Sequence, residues 1–191
     1  MKSRLAHGVL ALNSPHFAGR WELLIGVVAG PEDEESLRNH VLHRVAVSYT
    51  HLLGPRWKGP IVIAESSAGS TTEGFKNYHY NELVKDFPGR DIKLVDLNEE
   101  GLYETIPLLD GDLHVQMCRL AKRLCDPEAF VISAGLLKTH NVLIATLNIK
   151  NMTLGAPLHN ASKEKPFNDK RIFHGGVRQT HYDVMLTAQK L

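Results

Sequence analysis

The chain has 191 residues, 43% hydrophobic and 23% charged, with 22 basic against 21 acidic side chains for a net charge of +1. A chain of this length can bury a core without disulfides or a structural metal, and it fits one domain. The balanced charge, with no basic stripe, argues against nucleic acid as a partner.

The two cysteines, Cys118 and Cys125, stand seven residues apart in a segment that reads as helix. Two helical turns are about 10 Å, too far for a direct disulfide, and no zinc-ligand spacing is present. Reduced thiols suit a reducing compartment. No apolar run approaches the roughly 18 residues of a membrane span, and the N-terminus lacks a leader pattern. The expectation is a cytoplasmic protein with no membrane partner.

Residues 8–12 and 21–29 are apolar and strand-like, broken by Asn13-Ser14-Pro15 and Gly30-Pro31. Over 32–49, Leu37, Val41 and Val45 recur at helical spacing behind an acidic first turn. Ile61-Val62-Ile63-Ala64 is the short β-branched run of a strand covered on both faces. A turn of small polar residues, 65–72, leads to a predicted helix over 73–87, stopped by Pro88-Gly89, and then to a strand at 92–97. This order marks a βαβ unit and a parallel sheet. Asp112 is expected to cap a helix with Leu113, Met117, Leu120 and Leu124 on one face, ended by Asp126-Pro127. A third buried strand follows at 129–134. The stretch 142–154 is apolar but interrupted by Asn148, Lys150 and Asn151; a polar loop runs to about Arg171, and 177–191 reads as a helix. The fold class is therefore α/β: a single domain with a mostly parallel sheet flanked by helices, a three-layer sandwich. Residues 1–54 form an atypical N-terminal segment ahead of an α/β domain at 55–191.

Parallel sheets do their polar work in the crevice outside the carboxyl ends of their strands, and two loops fall there. The first, Glu65 to Thr72, offers a carboxylate and several hydroxyls, including Ser66 and Ser70, ahead of a helix. It is neither a Walker loop nor a GxGxxG fingerprint, and its plain reading is helix capping. The second, Lys138-Thr139-His140, puts a lysine at the end of an apolar strand, where the charge is costly unless it meets an anion, and a histidine two residues on. Its plain reading is a lysine reaching to water beside a capping threonine. Asn148 and Asn151 share a face if their segment is helical, with Lys150 beside them; the plain reading is the wet side of an amphipathic helix. Eleven histidines include no His-x-His or His-Glu-x-x-His motif. His140, His159 and His174 form a candidate metal set only if the fold brings them together, whereas His40 and His43 read as surface residues. Gly-x-Ser-x-Gly is absent, so there is no nucleophile elbow. The run from Lys163 to Arg171 alternates in sign and reads as a solvated loop.

Phe130 to His140, ending in Lys-Thr-His, followed by Thr146-Leu147-Asn148-Ile149-Lys150-Asn151 and Gly155, resembles the signature of domain of unknown function family 362. The strand ending in Glu65-Ser66, with Gly69 and Ser70, is similar, as is His174 followed by a helix. The resemblance spans roughly residues 55–190. It implies an α/β fold and carries over Glu65, Lys138, Thr139, His140, Lys150, Asn151 and His174 as motif residues. Some members carry ferredoxin-type cysteine clusters; this chain has no such cysteines, so no iron–sulfur cluster is expected. The chain lacks the Lys-Pro-Asn-like first strand of the family and is expected to be shortened at both ends.

Together these readings predict the core of an enzyme acting on a small anionic substrate or phosphorylated cofactor. Lys138 and Lys150 would bind the anion, with Ser66, Ser70, Thr139 and Asn148 as further ligand contacts. His140 would transfer a proton, Glu65 would balance a lysine or act as base, and Asn151 would orient the ligand. The rival readings are a non-catalytic anion- or metal-binding module and a degenerate structural fragment. A divalent metal is a candidate cofactor, and self-association a candidate assembly.

Overall fold

The computed structural model describes residues 22–27, 59–134, 138–140, 144–146, 148–160 and 166–191, and for 22–27, 83, 134, 138–140 and 144–146 the backbone alone. The strand expected at 8–12 and the helix expected at 32–49, with His40 and His43, lie outside the described residues. In chain order, β1 (Glu22–Val27) and β2 (Ile61–Glu65) precede α1 (Thr71–Asn77), α2 (Tyr80–Lys85) and β3 (Ile92–Asp96). Then come α3 (Leu97–Glu100), β4 (Tyr103–Leu109), β5 (Val115–Ala121) and β6 (Ala129–Ala134). The last part holds β7 (Lys138–His140), β8 (Ile144–Thr146), α4 (Asn148–Gly155), β9 (His159–Asn160), β10 (Phe167–Asn168) and α5 (Val177–Lys190). Helices and strands thus mix within one small α/β domain.

The main sheet has the order β3-β2-β1-β6, and each of its pairings is parallel. Chain order runs outward from β1 through β2 to β3, then returns to β6 on the far side of β1. The reversal makes the carboxyl edge beside β1 a topological switch point, where side chains from two halves of a sheet face one crevice. Every residue of β2 is buried, as expected of a β-branched run covered on both faces. The other pairings, β4 with β5, β7 with β8 and β9 with β10, are antiparallel and two-stranded.

The single helix expected over 73–87 is two short ones. Ser70 caps α1 by accepting from the Glu73 N–H at 3.1 Å, and the chain breaks at His79, whose φ is +58°. The break turns Tyr80, 1% exposed, inward against Phe75, with ring centroids 5.6 Å apart in an edge-on arrangement. An unbroken helix over this span would not allow the turn.

The helix expected after Asp112 is a strand instead. β4 and β5 form a hairpin whose buried positions, Ile106 and Leu108 in β4 and Cys118 and Leu120 in β5, alternate with period two, Ile106 lying opposite Cys118. Met117, assigned to the buried helix face, is 58% exposed. The turn is built by Asp110, whose Oδ1 accepts from the N–H groups of Asp112 (2.9 Å) and His114 (2.8 Å), with Leu113 at φ +66°. Asp112 therefore sits in a turn rather than at a helix start. Leu120 and Leu124 satisfy helical spacing and strand alternation alike, and pairing with β4 decided between them. Cys118 lies in β5 and Cys125 in a 3-10 turn (Lys122–Cys125), both buried and free. Burial raises their thiols to about 12 and about 11, respectively.

The helix expected at 177–191 is α5, with its polarity inverted. Val177, Met185 and Leu186 are exposed, while Gln179, Thr180, Asp183 and Thr187 are buried. The buried face is a hydrogen-bonding seam. The Leu109 N–H of β4 donates to Asp183 Oδ1 at 2.9 Å, and Gln179 Nε2 donates to Leu109 O, Ile172 O and Asp183. Thr180 donates to Phe173 O. Below this seam the apolar core joins Val62 and Ala64 of the sheet to Leu108, Cys118 and Leu120 of the hairpin and to Phe173. Among the described residues, no helix is long and apolar enough to cross a membrane.

Candidate functional site

At the carboxyl end of β2 a cavity of about 170 Å³ opens, a volume comparable to one that holds a benzene-sized molecule. Its polar lining is Glu65, Ser66, Ser67, Ser133, Asn151 and Lys170; Ala64, Leu97, Leu124, Met152 and Leu154 supply the apolar part. Each wall has a local cause. Glu65 and Ser66 close the buried strand β2 and are 8% and 5% exposed. Ser133 comes from the end of β6, where its hydroxyl donates to Asn148 O at 3.2 Å and so holds the start of α4. Asp96 caps α3 by accepting from the Asn98 and Glu99 N–H groups. Asn98, fixed there, ties two loops together: its Nδ2 donates to Ser67 O at 2.9 Å, and its Oδ1 accepts from the His159 N–H at 2.8 Å.

Asn151, on α4, is 4% exposed and lines the cavity. Its amide makes no hydrogen bond among the described residues. An amide on a cavity wall offers both a donor and an acceptor to a ligand or water.

Lys170 is the residue that sequence reasoning missed. It was assigned to a solvated loop; instead its ammonium is enclosed, although the residue as a whole is only half-buried. Nζ donates to Pro157 O at 2.7 Å, Gly155 O at 3.1 Å and Leu154 O at 3.5 Å, and lies 3.2 Å from Ser66 Oγ. Three of these acceptors cluster at the C-terminal end of α4, where a cation meets the negative end of the helix dipole. Ser66 Oγ in turn donates to Gly155 O. Burial lowers the Lys170 ammonium to about 8, against the opposing pull of the Glu65 carboxylate. The same carboxylate adds to the effect of burial in raising the Tyr80 phenol, whose hydroxyl has no hydrogen-bond partner among the described residues.

What carries Lys170 inward is its neighbour. Asp169 is 5% exposed and takes a bidentate pair from Arg119, Nε to Oδ2 at 2.8 Å and a terminal nitrogen to Oδ1 at 2.7 Å, plus the Arg119 N–H at 2.7 Å. The Arg119 guanidinium also stacks 3.5 Å from the Phe167 ring centroid. Among the described residues of the charge run, Asp169 and Lys170 are therefore anchored rather than solvated, while Arg171 is exposed. The signal was there in Phe167, Ile172 and Phe173, apolar residues on both sides that require the segment to pack and its charges to be paired.

The structure brings Glu65, Ser66 and Asn151 together at this cavity. Ser70 is exposed and caps α1. Asn148 is exposed and Lys150 half-buried on α4. His159 is half-buried beside Asn98, while His174 is exposed with Nδ1 3.0 Å from Lys170 O. Lys138, Thr139 and His140 form β7, paired with β8 rather than with the main sheet; their side chains lie outside the described residues. The trio His140, His159 and His174 is therefore undescribed at one member. Among the described residues, the close group of three metal-type ligands is Asp110, Asp112 and His114 in the hairpin turn. There Asp110 is held below the usual carboxylate range, chiefly by the His114 N–H.

The family model described as Domain of unknown function (DUF362) matches residues 30–189. The chain belongs to this family. A comparison with curated proteins gives no match. The DUF362 match takes in the Lys138-Thr139-His140 and Lys150-Asn151 motifs that carried the resemblance, and it takes in the cavity as well. β1, the sheet's inner strand between β2 and β6, lies ahead of the matched residues.

Proposed function

We propose that this DUF362 chain is the core of an enzyme that binds a small anionic substrate in the cavity at the carboxyl ends of β2 and β6. The observation that carries this reading is Asn151, a buried side chain on the wall of a cavity that is also lined by Lys170, whose ammonium is enclosed. An amide offers both donor and acceptor to a ligand, and a charge enclosed by low-dielectric walls acts on an anion more strongly than one in water. The cavity volume suits a compact molecule or the phosphate end of a cofactor.

Lys138, Thr139 and His140 enter the reading through chain geometry. β7 starts four residues beyond the end of β6, a reach of at most about 14 Å, and its partner β8 ends two residues before α4. The hairpin is thus joined along the chain to two elements, β6 and α4, that contribute Ser133 and Asn151 to the cavity lining. In this reading Lys138 and Lys150 steer the anion, and His140 transfers the proton. A three-layer arrangement belongs to the same reading, supported by α1 and α2 against β3 and by α4 against β6. One observation favours a non-catalytic binding module instead: the contacts of Lys170 lie within the protein, as in a structural clamp.

The test is isothermal titration with acetate, inorganic phosphate and neutral acetamide on wild type, Asn151→Ala and Lys138→Met. Anion binding weakened at least about tenfold in Asn151→Ala, with folding intact, supports the reading; equal affinities in all three proteins refute it.

A further inference from the structure

We propose that Ser66 is a nucleophile and Lys170 its general base, so that the cavity hydrolyses a small acyl compound, an ester, thioester or amide. The inference rests on the cavity being the substrate site. It adds a reaction class that no Gly-x-Ser-x-Gly motif announces, because a serine paired with a lysine needs no nucleophile elbow.

Ser66 is the first residue beyond β2, 5% exposed, with its hydroxyl on the cavity wall. Lys170 Nζ lies 3.2 Å from that oxygen. The shorter contacts of Nζ, to Pro157 O at 2.7 Å and Gly155 O at 3.1 Å, fix two of its hydrogens. Here the ammonium donates to Ser66 Oγ and the hydroxyl donates to Gly155 O. Once Lys170 loses that third proton, rotation of the hydroxyl hydrogen from Gly155 O to the freed lone pair gives the arrangement of a serine with its base. Burial brings the lysine to about 8, so a useful fraction is neutral near physiological pH. The Asn151 amide lines the same cavity and supplies the N–H donor that a developing oxyanion requires.

Ser66 Oγ bonds to the acyl carbon while Lys170 Nζ takes the hydroxyl proton. The bond from that carbon to the leaving group breaks, and Lys170 passes the proton to the departing alcohol, thiol or amine. Water then gives a proton to Lys170 and attacks the acyl-serine. Its ester bond breaks, a carboxylic acid leaves, and Lys170 returns the proton to Ser66.

The experiment treats the full chain with methanesulfonyl fluoride, small enough for the cavity, across pH 6.5 to 9.5, and maps the modified residue by mass spectrometry. The sulfonyl group is expected on Ser66, at a rate that rises about tenfold per pH unit and levels off near the Lys170 value. Lys170→Arg, which keeps the charge but cannot serve as a base, is expected to slow labelling at least about 100-fold, and Ser66→Ala to abolish it. No label on Ser66 of the folded protein, or unchanged labelling in Lys170→Arg, overturns the proposal. Should Lys170→Arg not fold, the wild-type profile decides alone: a flat rate between pH 7 and 9 overturns it. Ser66 unlabelled while acetate or phosphate still binds through Asn151 removes the nucleophile and leaves the binding site standing.

Discussion

Replacing Lys170 by methionine removes the ammonium and keeps most of the stem, and the structure sets what should follow. The free side chain titrates near 10.5, and in the folded protein it is brought down to about 8 by burial. Between those two pH values the unfolded chain still holds a proton that the folded chain has released. Stability then rises with pH, because the state that binds more protons is favoured by acid. The gap between the two values, at about 1.4 kcal/mol per pH unit, is about 3 kcal/mol. Wild type should gain that much relative to Lys170→Met between pH 7.5 and pH 11, with the change concentrated between 8 and 10.5 and little below it. Urea denaturation of both proteins at matched pH measures the difference and cancels the other titrating groups. Lys170→Arg supplies a control, since a guanidinium stays charged throughout and its deficit should widen with pH. A wild-type minus Lys170→Met difference that stays flat, or that falls with rising pH, would refute the enclosed-ammonium reasoning and take the general-base argument with it.

Other changes test the scaffold around the cavity. Arg119→Met strands the buried Asp169 carboxylate and should cost about 3 to 5 kcal/mol in denaturant titration; a loss below about 1 kcal/mol would show that the bidentate pair does not anchor the Lys170 segment. Gly175→Ala puts a Cβ 2.6 Å from Gly111 Cα, a backbone clash expected to lower stability by roughly 1 to 3 kcal/mol, read by thermal melting. Cys118 and Cys125, buried with thiols held at about 12 and about 11, should resist iodoacetamide at pH 8 in the native protein and react promptly in urea; rapid native labelling would contradict their burial.

Local order and short-range chemistry determined much of this protein. The run at 61–64 is β-branched or apolar throughout, and the strand it forms is buried along its whole length. The run at 129–134, expected to be buried as well, carries Ser133 and is only half-buried over 129–133. The intervening capping serine and helix then implied parallel pairing, and β1, β2, β3 and β6 pair that way. The Lys-Thr-His and Lys-Asn motifs pointed to the family, and the position after β2 pointed to Glu65 and Ser66 at the carboxyl edge. What the sequence left open were contacts between residues far apart in the chain. Helical and alternating spacing both fit residues 113–124, and the choice rested with β4, which pairs with them. The polar buried face of α5 makes sense only once Leu109 N–H and Leu109 O need partners from Gln179 and Asp183. Lys170 stands 104 residues from Ser66 in the chain. The apolar neighbours Phe167, Ile172 and Phe173 marked the segment as one that packs, but not which of its charges would be enclosed; that depended on Asp169 finding Arg119 across the fold, where burying one ion pair carried the next residue into the cavity.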